Sequence, residues 1–152
     1  MEGLILKYVK MTEKINMAII NSGRAYQAWD MDNGLPTYLS VILYELFYHK
    51  RLSQKELVER SGIPKQSINK GIKLLQEKDY LICEYNGGDR RVKECYLTKA
   101  GLDYAKIKVG PLFDLEDEII YKMGVKRVEK LTELLEEYSH TLWELVKEDE
   151  KL

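Results

Sequence analysis

The sequence predicts a mainly α-helical fold with one small β-hairpin wing: a winged helix-turn-helix flanked by long N- and C-terminal dimerisation helices. Three observations predict it. The segments "SQKELVERS" and "PKQSINKGIKLLQ" both read as short helices and are separated by a few residues that include Gly62, the pattern of a helix-turn-helix. Two apolar-alternating stretches, "LICEY" and "VKECYL", follow around "NGGDRR", where glycine and aspartate supply the positive-φ positions of a tight turn. Long helical stripes precede and follow this block.

The first stripe runs from residue 2 to about 31 through Leu4, Tyr8, Met11, Ile15, Ile19, Ser22, Tyr26 and Trp29. These positions are three or four apart, one face of a long helix. Asn33-Gly34 breaks the pattern, and Pro36 suits the first turn of a second helix offering Leu39, Ile42, Leu43, Leu46 and Phe47 to the core. Ser53 followed by Glu56 is a capping box, so a third helix begins near Gln54, buries Leu57 and Val58, and stops at Ser61-Gly62. Pro64 opens a fourth, with Ile68, Ile72 and Leu75 on its inner face.

The hairpin strands are expected at about Leu81–Tyr85 and Val92–Leu97, with Arg90 and Arg91 at the tip. Thr98 caps a helix from Lys99 towards Met123, with an interruption expected at Gly110-Pro111. After Gly124, Val128, Leu131, Leu135, Tyr138, Leu142 and Leu145 form a heptad seam. Residues 1–34 and 99–152 thus form a helical dimerisation region and residues 35–98 a winged helix-turn-helix, together one structural domain. The terminal helices are too apolar on one side to project from a small winged helix alone; they either fold back on it or, more economically, pack together and against a second copy as a two-fold homodimer.

Composition excludes several classes. No run approaches about eighteen apolar residues, so no membrane span is expected. The first residues, acidic at position 2 and rich in lysine, do not resemble a signal peptide, and two cysteines are too few for a disulfide framework; a cytoplasmic protein is expected. The net charge of −1 hides an asymmetry: residues 50–108 carry 14 Lys and Arg against 8 Asp and Glu, a net of +6. A basic centre between acidic flanks attracts a polyanion, or is a fluctuation of solvated surface charge. There is no phosphate loop, no nucleophile motif and no metal-ligand spacing, His49 and His140 lying far apart, so neither an enzyme nor a metal or other cofactor is expected.

The polar residues of the central block favour double-stranded DNA. Lys65, Gln66, Ser67, Asn69, Lys70 and Lys73 lie on the outer face of the fourth helix, and Gln, Asn and Lys are suited to base edges and phosphates in the major groove. Ser53, Gln54 and Lys55 open the third helix, where amides and short side chains suit phosphate contacts. Arg90 and Arg91 suit the negative potential of a narrow minor groove, and Asp89 can orient one of them by a bidentate pair. Each residue singly is also an ordinary solvated position; together they share one side of one motif.

The segments "LPTYLSVILYEL", "LSQKELVERSGIPKQSINKGIKLLQEKDYLI" and "GDRRVKECYLTKAG" resemble the MarR (multiple antibiotic resistance regulator) family of transcription factors. The likeness is most specific from Leu52 to Gly101 and includes Asp89-x-Arg91 followed by "LTKAG". It implies a homodimer with interlocked terminal helices, recognition helices in successive major grooves of a pseudo-palindromic operator, and a wing arginine in the minor groove. It also implies a small aromatic or anionic ligand between the dimerisation helices and the winged helix, relieving repression. Tyr26, Trp29, Tyr38 and Tyr44, with Arg24 as an anion partner, are candidates for that pocket or are packing and surface residues. Two departures stand out: Asp79 where the family often has glycine, which αL backbone tolerates, and Gly71 within the recognition helix, which a close neighbour would explain. The alternative function is a winged-helix adaptor that meets an acidic protein and needs no DNA sequence.

Cys83 and Cys95 depend on the wing's register. Pairing Leu81 with Leu97 sets Cys83 opposite Cys95 but also Glu84 opposite Glu94; sliding by one sets Glu84 opposite Lys93 and separates the cysteines. The cysteines are either two small buried residues or a redox switch in which oxidant weakens DNA binding.

Overall fold

The computed structural model describes residues 2–86 and 89–149, with the backbone alone at residues 2–5, 7, 86, 89, 90 and 149. The chain divides into two compact units, Met1–Val109 and Gly110–Leu152. In order, its elements are α1 (Glu2–Asp32), α2 (Thr37–His49), β1 (Leu52–Ser53), α3 (Gln54–Ser61), α4 (Lys65–Glu77), β2 (Leu81–Asn86), β3 (Asp89–Leu97), α5 (Lys99–Met123) and α6 (Val125–Asp149). The fold is therefore mainly α with a small antiparallel sheet, the predicted winged helix-turn-helix between long helices.

The core of the first unit is built where helical periodicity placed it. Ile42, Leu43 and Leu46 of α2 meet Leu57 of α3 and Ile68 and Leu75 of α4, all at most 2% exposed. Gly71 explains how closely α2 and α4 pack. A β-carbon there would lie 2.5 Å from Ile42 Cδ1 and 3.0 Å from Tyr38 Cδ2, so a larger residue would wedge the helices apart. Glu45 of α2 accepts a hydrogen bond from Arg60 Nε of α3 at 2.5 Å, with His49 Nε2 at 3.5 Å from the same carboxylate oxygen.

Three expectations need correction. The sheet has three strands, ordered β1-β3-β2, because Leu52 and Ser53 pair with Cys95 and Glu94. Two-residue strands carry no periodicity, so β1 has no sequence signal of its own. Strand β3 begins at Asp89, before the expected Val92, so Arg91 stands on a strand rather than at the turn. The turn glycines Gly87 and Gly88 lie outside the described residues. Finally, α5 passes through Gly110-Pro111 without a break; proline removes one backbone donor but does not always end a helix whose packing is favourable elsewhere.

The wing is anchored at its base by Thr98. Its amide donates to the Tyr80 carbonyl at 3.0 Å, its hydroxyl donates to the Asp79 carbonyl at 2.7 Å, and the same oxygen accepts from the Gly101 amide at 3.0 Å, capping α5. Asp79 adopts φ 56°, the left-handed conformation expected of it.

The second unit contains the distal part of α5 and all of α6. Gly124, at φ 87°, joins them alone, its amide donating to Ile120 and its carbonyl accepting from Val128. On α6 the seam residues Leu131, Leu142 and Leu145 are 44–56% exposed. On α1, Tyr8, Met11 and Ile19 of the predicted stripe are similarly uncovered, while Ile15 and Trp29 are half-buried.

Candidate nucleic-acid interface

The site starts at the junction of β1 and α3. Ser53 is the last residue of the strand and the N-cap of the helix. Its hydroxyl accepts from the Glu56 amide at 3.2 Å and donates to Glu56 Oε2 at 2.8 Å, while its own amide donates to that oxygen at 2.7 Å. The backbone N–H of Ser53, and secondarily its hydroxyl, hold the Glu56 carboxyl below its usual pKa. Ser53 is thus committed to positioning α3, and what this helix end offers outward is Gln54 and Lys55.

Helix α3 ends at Gly62 in the left-handed conformation, φ 65°, with its amide bonded to the Val58 carbonyl. Two residues later Pro64 directs the chain into α4. Lys65, Gln66, Asn69, Lys70 and Lys73 are exposed there and Ser67 is half-buried, opposite the buried Ile68, Ile72 and Leu75. Lys70 does not project freely: its ammonium lies 5.4 Å from the ring centroid of Tyr38.

The wing supplies the opposite wall. Its register is the one that faces Leu81 with Leu97, Cys83 with Cys95, Glu84 with Glu94 and Tyr85 with Lys93. Cys83 and Cys95 are bonded as a disulfide, Cα to Cα 4.1 Å, so they are not two separate small buried residues. On the outer face Arg51 answers the like-charge pair, with Nη1 at 3.3 Å from Glu84 and 4.0 Å from Glu94 and its guanidinium 4.2 Å from the Tyr96 ring centroid.

Between these walls lies a groove of about 720 Å³ lined by Ser53, Gln54, Lys55, Val58, Glu59, Lys65, Tyr85, Arg91, Val92 and Lys93. It gathers the start of α3, the start of α4 and the wing, three places that the sequence singled out separately. Four of its side chains are cationic and one is anionic, Glu59, which is 3.6 Å from Lys55 Nζ. Such a concentration of charge with few acids suits a polyanion. Gln66, Ser67, Asn69, Lys70 and Lys73 are not among the lining residues, and the Asp89 and Arg90 side chains lie outside the described residues. Tyr85 and Lys93 were missed by sequence reasoning. Their signal was the register itself, since Lys93 shares a strand face with Arg91 and Tyr85 stands across from it, its ring centroid 5.0 Å from the Lys93 ammonium.

Tyr26 is 42% exposed, Arg24 is exposed, and Trp29, Tyr38 and Tyr44 are half-buried. Of these, Tyr38 lies against α4 at Gly71 and Lys70. Among the described residues no group of three His, Cys, Asp or Glu could hold a metal ion, and no helix is long and apolar enough to cross a membrane.

A helix-turn-helix with a polar outer face on its second helix and a three-stranded wing beside it defines a winged-helix protein. Residues 40–92 match the model of the MarR family, and the chain as a whole has the fold of MarR family regulators. The MarR family regulator NMB1585 from Neisseria meningitidis is 22% identical, covers 90% of this chain and 96% of its own, and superposes with a TM-score of 0.80. S. aureus MepR in its DNA-binding conformation is 13% identical over 83% of this chain and 98% of its own, TM-score 0.69. Bordetella bronchiseptica BpsR, whose DNA binding is regulated by 6-hydroxynicotinic acid, is 19% identical over 81% of this chain and 98% of its own, TM-score 0.57. No curated protein matches the chain in sequence.

Proposed function

We propose that the chain is a cytoplasmic, sequence-specific DNA-binding transcriptional regulator of the MarR type, not an enzyme, acting as a homodimeric repressor relieved by a small ligand. The observation that carries this reading is the basic groove between α3, α4 and the wing, which brings Gln54, Lys55, Lys65, Arg91 and Lys93 to one surface. Lys65, Gln66 and Asn69 stand at the start of α4, the end of a recognition helix that meets base edges. Arg91 and Lys93 on the wing suit the backbone and the adjacent minor groove. A homodimer is supported by the uncovered apolar faces of α1 and α6, since exposed patches of this kind mark interaction surfaces. A two-fold dimer then matches a pseudo-palindromic operator.

A small aromatic or anionic ligand is supported by the placement of Tyr38, whose ring touches the recognition helix beside Lys70, so that an occupant displacing it would disturb α4 directly. Ligand control of DNA binding in BpsR makes the same regulation reasonable here.

The experiment is selection of bound duplexes from a random DNA pool at roughly physiological salt, where screening suppresses weak capture. Enrichment of an inverted repeat with half-sites about one helical turn apart supports the regulator. Binding that disappears uniformly with salt, with no enriched sequence, would assign the groove to an acidic protein partner instead.

A further inference from the structure

The inner face of the wing changes character along its length. Alternation places residues 81, 83 and 85 of β2 and residues 97, 95, 93 and 91 of β3 on one side. At the base of that side Leu81 and Leu97 face each other, 2% and 6% exposed. At the far end Tyr85 and Lys93 face each other and line the groove with Arg91. Between the two stands the Cys83–Cys95 bond.

Beside that bond, the side-chain contact described across the distal half is the Lys93 ammonium 5.0 Å from the Tyr85 ring centroid, an exposed and therefore weak attraction. The pair next to the bond is Glu84 opposite Glu94, a like-charge contact that destabilises a ladder. Among the described residues the charge that answers this pair is Arg51, about half exposed, and attraction between exposed groups is weak and screened. Beyond Tyr85 the register shifts, so the ladder is irregular there. The base behaves differently. Sliding β2 by one against β3 would relieve the glutamates by pairing Glu84 with Lys93, but it would turn Leu81 away from Leu97 and out to solvent. A released wing therefore loosens at Tyr85 and Lys93 and keeps its base at Leu81 and Leu97.

We infer that Cys83–Cys95 is a redox-responsive fastener that holds the groove-lining half of the wing in place, an inference that rests on the DNA-binding reading above. A dithiol reductant opens it. One reductant thiolate attacks the sulfur of Cys83, the half-exposed partner; the S–S bond breaks and Cys95, 2% exposed, leaves as a thiolate and takes a proton. The second reductant thiol attacks the mixed disulfide and releases Cys83 as a thiol. The chain gains two electrons and two protons, and the reductant becomes a disulfide. The bonded form keeps Arg91 and Lys93 at the groove. The sign is thus opposite to the sequence expectation: oxidation tightens DNA binding and reduction weakens it.

The test uses the full chain equilibrated with oxidised or reduced dithiothreitol, its thiol content checked by alkylation and mass. Affinity for the duplex recovered by selection is expected to fall about tenfold on reduction, which corresponds to about 1.4 kcal/mol of lost wing ordering. The Cys83→Ser/Cys95→Ser variant is expected to bind at the reduced level in both buffers. Equal or tighter binding by the reduced wild type overturns the inference. Amide hydrogen exchange of the wild type gives a readout independent of DNA and of any variant. Faster exchange on reduction in residues 84, 85 and 91–93, with residues 81–83 and 95–97 still protected, supports the fastener; unchanged exchange overturns it. If selection enriches no duplex, the DNA-binding reading fails, and the exchange result alone decides whether the bond holds the wing.

Discussion

Gly101 lies so close to Tyr80 that a β-carbon on it would stand 1.9 Å from the Tyr80 carbonyl oxygen. That oxygen accepts the Thr98 amide, so it is held where the wing joins α5. Unlike the Gly71 contact, which meets side-chain ends, this one meets backbone that has no rotamer to change. Gly101→Ala is expected to destabilise the fold by about 3 kcal/mol, at the upper end of overpacking costs. A denaturant midpoint equal to that of the wild type would show that the α5 start can shift freely.

The capping box of α3 should be visible in acid. The Glu56 pKa is depressed in the folded chain by the Ser53 amide and hydroxyl. Its contribution is therefore fully present above the unfolded value, near pH 4.3, and is lost as pH falls through the lower folded value. Because Glu56 is exposed, the size is small, well under 1 kcal/mol after solvent screening. Ser53→Ala removes the cap itself and is expected to cost about 1 kcal/mol at neutral pH. In Glu56→Gln the acid-dependent part should vanish while the neutral-pH fold persists; stability curves from pH 2 to 7 check both.

Replacing Arg91 by Ala should weaken operator binding by about 1–3 kcal/mol and lower the salt slope by about one. Lys93→Ala is expected to lower the slope similarly with less effect on sequence preference, because it suits phosphate rather than bases. Equilibrium titrations at several salt concentrations separate the two. Slopes matching the wild type in both variants would remove the wing from the interface.

Leu142, half exposed on α6, belongs to the seam proposed to join two copies. Sedimentation equilibrium of the wild type is expected to give about twice the 17.8 kDa chain mass. Leu142→Glu places a charge in that seam and should shift the chain towards monomer, with operator affinity falling in parallel. A wild type that sediments as a monomer would refute the homodimer.

Much of this arrangement was legible in the sequence because local chemistry and global packing agree there. Ser53 and Glu56 announce α3, Gly62 ends it, Pro64 opens α4, and Ile68, Ile72 and Leu75 point to the core. The helix-propensity cost of Gly71 raised a close approach only as one possibility, and the contact with Ile42 and Tyr38 now accounts for it. What stayed hidden depends on partners distant in the chain. Strand β1 exists only because Cys95 and Glu94 pair with it. The wing register was undecided because charge and apolar pairing argued opposite ways, and Arg51, thirty-three residues before Glu84, supplies a counterion that no local pattern announces. Tyr85 and Lys93 became candidates only once that register was known.

Ser53 has a consequence for the geometry of the whole groove. One residue is at once the strand partner of Glu94 and the cap of α3, so the two jaws of the groove share a hinge pin rather than merely adjoining. Opening them at that end would break a ladder pairing and a capping box together. The inner gauge of the groove is therefore fixed, like the closed end of a caliper. Any change in the width of the groove is left to its outer end, beyond the Cys83–Cys95 rung.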